Sequence, residues 1–248
     1  MTKQGKYTYG IIKSLDSKKF DYSGLGAGIE DNPVYPLTYK ALTAIVSDAP
    51  IKYYEPDDEH AMAHRRVVDD IVKGCIILPA AFGSILKSVG DISNIMRRQY
   101  GIWNGLLRKM DGKREYGMKI FWDKDRIQKE IQETNEAARE LTEQLKEKDD
   151  PRAKVQLKIL LQDELITRGN EYVTDIHEQL KEYSTASKSN DLVGKKMIFN
   201  GAFLVKNDLE GEFVKKIDEL EKLYSALEIK AIGPCAPYNF ATVRLRFR

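Results

Sequence analysis

Two cysteines among 248 residues, Cys75 and Cys235, leave no material for the disulfide framework of small secreted domains, so a reducing cytoplasm is the expected setting. Long apolar runs are missing as well. No stretch approaches the roughly 20 apolar residues of a spanning helix, and the opening MTKQGKYTYG has no apolar core of signal-peptide length; neither membrane insertion nor export by that route is expected. A charge excess is also absent: 40 Lys and Arg face 38 Asp and Glu, which removes the net basic footprint of a nucleic-acid binder and leaves any basic patch local. What remains is 42% hydrophobic and 31% charged, the composition of an ordinary globular protein. The length exceeds the common single-domain size of roughly 100 to 150 residues, so two cores are expected.

Lys6 to Ile12 reads as a strand in which Tyr7, Tyr9 and Ile11 alternate with Thr8, Gly10 and Ile12. A glycine-bearing loop, 13–33, leads to two further strands, Val34 to Leu37 and Leu42 to Ser47. Asp57 to Gly74 sets Ala61, His64, Val67, Val68, Ile71 and Val72 at helical spacing, with acids in the first turn and glycine at the end. Cys75 to Pro79 is a short buried-strand candidate, Asp91 to Lys109 a helix, and Tyr116 to Trp122 an alternating strand. This order predicts an α+β protein whose N-terminal domain, 1–122, is a ferredoxin-like sheet with an added strand and helices on one face.

From Asp123 to Asp149 the composition turns to Glu, Lys and Gln with a narrow stripe of Ile127, Ile131, Ala138, Leu141 and Leu145, which predicts one long helix. Asp150 and Pro151 then supply an N-cap and a first-turn proline for a second helix toward Lys188. The expected C-terminal domain, 123–248, thus holds a helical hairpin (123–188), a smaller ferredoxin-like α/β unit (strand Met197 to Val205, helix Asp208 to Leu227, strand Ile229 to Ile232) and a tail.

Candidate chemistry is sparse. His60 and His64 stand four apart on one helix, the spacing of the metalloprotease pair, but Ala61 replaces the Glu that motif needs and the other histidine, His177, is distant. A buried His64 and an exposed His60 are the plainer reading. Gly24, Gly26 and Gly28 match a phosphate cradle in spacing alone, with no βαβ context and no Gly-Lys-Ser/Thr ending, so a flexible connection is expected. Cys75, followed by Ile76, Ile77 and Leu78, reads as a buried, unreactive thiol. Thr242 to Arg248 alternates apolar and basic residues, as a charged sheet-edge strand or, less simply, a nucleic-acid contact would. No catalytic residue, cofactor or metal ligand is assigned.

Three segments in order carry a resemblance: Pro33 to Pro50, PVYPLTYKALTAIVSDAP; the helix with His64, Val67 and Val68 running into Ile77 to Ser84, ILPAAFGS; and Gly233 to Phe240, GPCAPYNF. Together they resemble the gas vesicle protein F/L family. One departure is Ala81, where the family pattern Pro-x-Arg-Phe-Gly has an arginine. The resemblance implies a non-enzymatic accessory or minor component of the gas vesicle, located in the cytoplasm and with the vesicle shell, whose partners are the small hydrophobic shell protein and other accessory proteins. It places the contact on the first domain near Pro79, Phe82 and Gly83, with Phe82 either offered to a partner or packed in its own core. Pro234, Pro237, Tyr238 and Phe240 are expected to form a rigid tail whose rings fill the crevice between the domains. Two other classes stay open: a small-ligand or nucleic-acid binding module using the arginine tail, and an enzyme with His64 as acid–base group in that crevice.

Overall fold

The computed structural model describes residues 3–245 apart from Lys19, Gly26 and Asp57. It is a mixed α/β protein with two sheets, and the chain divides into two compact units, Met1–Glu115 with Gly233–Arg248, and Tyr116–Ile232.

The first unit runs β1 (Gln4–Lys13), a single helical turn α1 (Ser14–Ser17), β2 (Val34–Tyr39), β3 (Leu42–Pro50), α2 (Asp58–Gly74), the two-residue strands β4 (Leu78–Pro79) and β5 (Ile85–Leu86), and α3 (Val89–Met110). Its sheet has the order β2-β3-β1-β4, with β5 also on β1. β1 pairs antiparallel with β3 from Gln4 opposite Pro50 to Lys13 opposite Leu42. The register slips between Thr8 and Gly10, leaving Tyr9 as an extra residue, the mark of a β-bulge. The slip reverses the face on which later side chains fall, so Ile12, rather than the Ile11 of strict alternation, shares a core cluster with Tyr7 and Tyr9. Against these three lie Val67, Val68 and Ile71 of α2, each fully buried and each contributing roughly 1.5–3 kcal/mol by its removal from water. Helix α3 begins where Ser88 accepts a hydrogen bond from the Asp91 N–H and buries Ile92, Met96, Trp103 and Leu107.

The second unit takes in β6 (Lys113–Trp122) from Tyr116 onward, α4 (Lys124–Thr134), α5 (Glu136–Glu147), α6 (Pro151–Lys181), β7 (Ala186–Ser189), β8 (Met197–Lys206), α7 (Glu210–Leu223) and β9 (Leu227–Cys235) up to Ile232. Its sheet has the order β7-β8-β6-β9. The strand expected over Tyr116 to Trp122 as part of the first sheet therefore belongs to the second, where Tyr116, Met118 and Ile120 pack with Phe203, Phe213 and Ile217. Counted within each unit, the two sheets share one order: second strand, third, first, fourth.

The single helix expected over 123–149 is two. Asn135 has extended backbone, and its side chain accepts from the Ala138 N–H at 3.1 Å while its amide donates to Glu164 at 3.0 Å, so it stops α4 and caps α5. The expected hairpin is in consequence a three-helix assembly in which Ile127, Ile131 and Ala138 close on Leu157, Leu161 and Leu165 of α6. Asp150 caps α6 through the Arg152 N–H, with Pro151 at its first position.

After β9 the chain forms a last turn, α8 (Tyr238–Ala241). The sequence alone groups this tail with 123–248, but the compact division returns Gly233–Arg248 to the first unit, because Ala236 is fully buried in the cluster that holds Tyr7, Tyr9 and Val68.

Candidate functional site

The loop from Pro79 to Ser84 is fastened at both ends to β1: the Ala80 N–H donates to the Tyr9 carbonyl at 2.8 Å and the Thr8 N–H to the Ser84 carbonyl at 2.8 Å. Between them Gly83 has φ +76°, a left-handed conformation that side chains beyond glycine resist, and its N–H donates to the Tyr7 hydroxyl at 3.0 Å. That bond supplies the Tyr7 oxygen with a donor and leaves the phenol proton free for the Nδ1 of His64, 3.0 Å away, an arrangement that assigns the imidazole proton to Nε2. The Tyr9, Tyr54 and Phe82 rings pack on this pair, with Phe82 5.9 Å from His64 and 6.5 Å from Tyr7 between ring centres.

Phe82 is thus half-buried against the core of its own unit, at the tip of a turn held by Gly83 and by Ser84, whose hydroxyl donates to the Ala81 carbonyl at 2.6 Å. Ala81, at the position where an arginine was expected, acts here through its backbone: its N–H also donates to the Val243 carbonyl at 3.2 Å.

Burial sets the chemistry of the cluster. His64 is 4% exposed, and loss of water, partly offset by the Ala80 backbone, pulls its pKa down to about 4, so the ring is neutral at pH 7. Burial raises Tyr7 well above the ordinary phenol value. Cys75 is pushed up to about 12 by burial first and Asp16 second, which keeps the thiol protonated. A cluster of neutral rings, joined through Tyr7 to the Gly83 N–H and the His64 Nδ1, organises a loop, and the buried Nε2 of His64 has no hydrogen-bond partner among the described residues.

The tail residues fall in different places. Pro234 is exposed, Pro237 is buried at the start of α8, and Tyr238 and Phe240 are half-buried, with Tyr238 packed on the core of the first unit. Val243 bridges to Ala80 and donates its N–H to the Pro79 carbonyl at 2.8 Å, so the tail lies along the loop that carries Phe82. The alternation expected from Thr242 holds over Val243, Arg244 and Leu245, which are buried, exposed and buried, but as one bridge rather than a strand; 246–248 lie outside the described residues.

Two participants escape a reading of the sequence. Glu115, 5% exposed, receives the Asn239 N–H at 2.8 Å and the Asn239 side-chain amide at 2.7 Å, a two-point clamp on the tail. Tyr7 joins Gly83 to His64 over separations of 76 and 57 residues. The only advance sign of either is an acid preceding an apolar strand and a tyrosine inside one. In the glycine loop the Gly28 N–H is committed to the Asn32 carbonyl at 2.9 Å. His60 lies 3.9 Å from Glu30 and meets the Tyr54 ring edge to face, and no group of three or more His, Cys, Asp or Glu among the described residues is placed to hold a metal ion.

The model of the family described as gas vesicle synthesis protein GvpL/GvpF matches residues 5–242. The chain belongs to this family. Among its relatives, gas vesicle protein F1 of Halobacterium salinarum is 29% identical over 242 residues, covering 96% of this chain and 93% of that protein. Gas vesicle protein L1 of the same organism is 26% identical over 257 residues, covering 96% and 90%. The crystal structure of gas vesicle protein GvpF from Anabaena sp. PCC7120 superposes with a TM-score of 0.83 over 97% of this chain and 99% of that one, at 22% identity, and that from Microcystis aeruginosa with 0.77 over 96% and 99%, also at 22%. At that identity the superpositions speak to the fold. Within the GvpL/GvpF family, then, this chain carries the Pro79 to Ser84 turn and the tail on one unit. No helix among the described residues is long and apolar enough to cross a membrane.

Proposed function

We propose that the chain is a non-catalytic accessory protein of the gas vesicle, cytoplasmic and associated with the vesicle shell, that binds the hydrophobic shell protein and other accessory proteins during assembly. The observation that carries this reading is the family match over residues 5–242. A very apolar shell subunit needs its surface covered before assembly, and a protein can cover it with a fixed apolar projection. The turn with Pro79, Phe82 and Gly83 has that character: Gly83 fixes its backbone, Tyr7 and His64 back it, and Phe82 stays partly open. On this reading the tail of Pro237 and Tyr238 braces the turn from beside it, and each unit is a ferredoxin-like sheet, the first with its leading crossover shortened to α1 and turns, the second with it enlarged to α4, α5 and α6.

The enzyme alternative has less support, because the imidazole it would use is engaged by Tyr7 and 4% exposed. The test uses the full chain, since Ala236 and Val243 complete the first unit and residues 1–122 alone would lack them. Shell protein diluted from denaturant is expected to stay in solution with the native chain and to precipitate with a folded Phe82→Asp variant. Precipitation in both cases overturns the proposal of a shell contact, and protection by both overturns the assignment to Phe82.

A further inference from the structure

A groove of about 530 Å³ opens on the second unit, between α6, the start of α4 and the segment entering β8. Trp122 lines it, together with Leu165 and Ile166 of α6 and with Leu192 and Met197. The indole reaches α6 because residue 169 is glycine: a Cβ there would stand 3.3 Å from the Trp122 ring, closer than most contacts tolerate. The Trp122 N–H donates to the Lys196 carbonyl at 3.0 Å, which ties the entering segment to the end of β6.

Three features go beyond ordinary surface. First, large apolar side chains lie open at the groove and beyond it: Ile166 is 55% and Leu192 54% exposed, and Ile159 and Val155 continue the stripe along α6 at 55% and 58%. Val155 to Ile166 spans eleven positions, about 16 Å of helix, enough to face three turns of another helix. Secondly, α6 already buries Leu157, Leu161 and Leu165 against α4 and α5, so its second apolar stripe has no partner within the described residues of the unit. Thirdly, the charges at the groove are of one sign. Lys124, Lys158 and Lys195 line it, all exposed and none in an ion pair among the described residues, while neither Asp nor Glu contributes to the lining.

We propose that this groove receives an acidic amphipathic helix of a partner protein, its apolar side on Trp122, Ile166 and Leu192 and its carboxylates against Lys124, Lys158 and Lys195. Gln128, Gln162 and Asn170 in the lining supply neutral hydrogen bonding at the edges. The proposal is independent of the shell-protein reading, whose contact lies on the first unit.

The full chain, immobilised, is panned against two displayed peptide libraries that share leucines at helical spacing and differ in flanking residues, Glu and Asp in one, Lys and Arg in the other. Enrichment of acidic over basic peptides by at least about tenfold is expected. An enriched acidic peptide should shift the emission of Trp122 in a Trp103→Phe chain, which leaves Trp122 as the sole tryptophan. Ile166→Asp should abolish that binding. The combined Lys124→Glu, Lys158→Glu and Lys195→Glu variant, at exposed positions that leave the core intact, should weaken it at least about tenfold and reverse the library preference. Equal enrichment of both libraries, enrichment of neither, or binding indifferent to the lysine reversal overturns the proposal. Sedimentation showing a dimer of the native chain that Ile166→Asp dissociates also overturns it, in favour of a second copy as the occupant. Binding of anionic phospholipid vesicles lost in the same variants, without peptide binding, overturns it in favour of a lipid surface.

Discussion

Acidification should loosen the first unit through His64. Its folded pKa of about 4 lies below the ordinary 6.5 because the buried ring resists charging, so protonation favours the unfolded chain. The stability that His64 contributes is complete above pH 6.5 and is lost as pH falls from there toward 4. Full expression of the difference is worth about 3 kcal/mol, and at pH 4.5 about 2.5 kcal/mol of it should be gone. Urea unfolding at pH 7 and pH 4.5 measures this in a Trp122→Phe chain, where Trp103, buried in α3, reports on the first unit. A His64→Gln variant retains an acceptor for the Tyr7 hydroxyl yet cannot charge, and it should lose about 2.5 kcal/mol less than the parent between the two pH values. The same pH dependence in both chains, or an imidazole titration near 6.5 by NMR, would exclude His64 as its source.

Four further outcomes follow from the geometry. Gly83→Val should destabilise the first unit by at least about 1 kcal/mol, because φ +76° strains a β-branched residue, and its urea midpoint should fall. Glu115→Ala removes both acceptors of Asn239 and should cost about 2–3 kcal/mol, with hydrogen exchange rising at the Asn239 amide and trypsin cutting faster after Arg244. Asn135→Ala should cost about 1 kcal/mol by uncapping α5, seen as a lower thermal midpoint of the second unit. Cys75 should resist alkylation at pH 7.5 in the folded chain and react once urea exposes it.

Local signals in the sequence locate most elements. Asp150 with Pro151 marks the start of α6, the 3.6-residue spacing of Val67, Val68 and Ile71 marks α2, and the apolar run before Pro79 marks β4. What the sequence hides is pairing over long separations. Nothing in Tyr116 to Trp122 says which sheet the strand joins, because its alternation is the same in either. The bulge at Tyr9 leaves no local trace, yet it moves Ile12 to the face of Tyr7. Asn135 sits between Ile131 and Ala138 of a periodic helical stripe that does not announce a break, and its bond to the Ala138 N–H makes a cap of it while Glu164 of α6 takes its amide.

The candidate site is legible in part. Pro79, Phe82 and Gly83 do lie on one turn, whereas its backing by Tyr7, His64 and Val243 depends on residues brought in from far along the chain. The sequence makes the tail a filler of the crevice between domains, and its Tyr238 packs on the core of the first unit, with Glu115 as the holding residue.

Contact with the shell is decided by co-expressing the full chain, affinity-tagged, with the small gas vesicle shell protein and weighing what co-purifies. A complex is expected with the native chain and none with Phe82→Asp of unchanged circular dichroism. A folded native chain that elutes alone would overturn the shell contact.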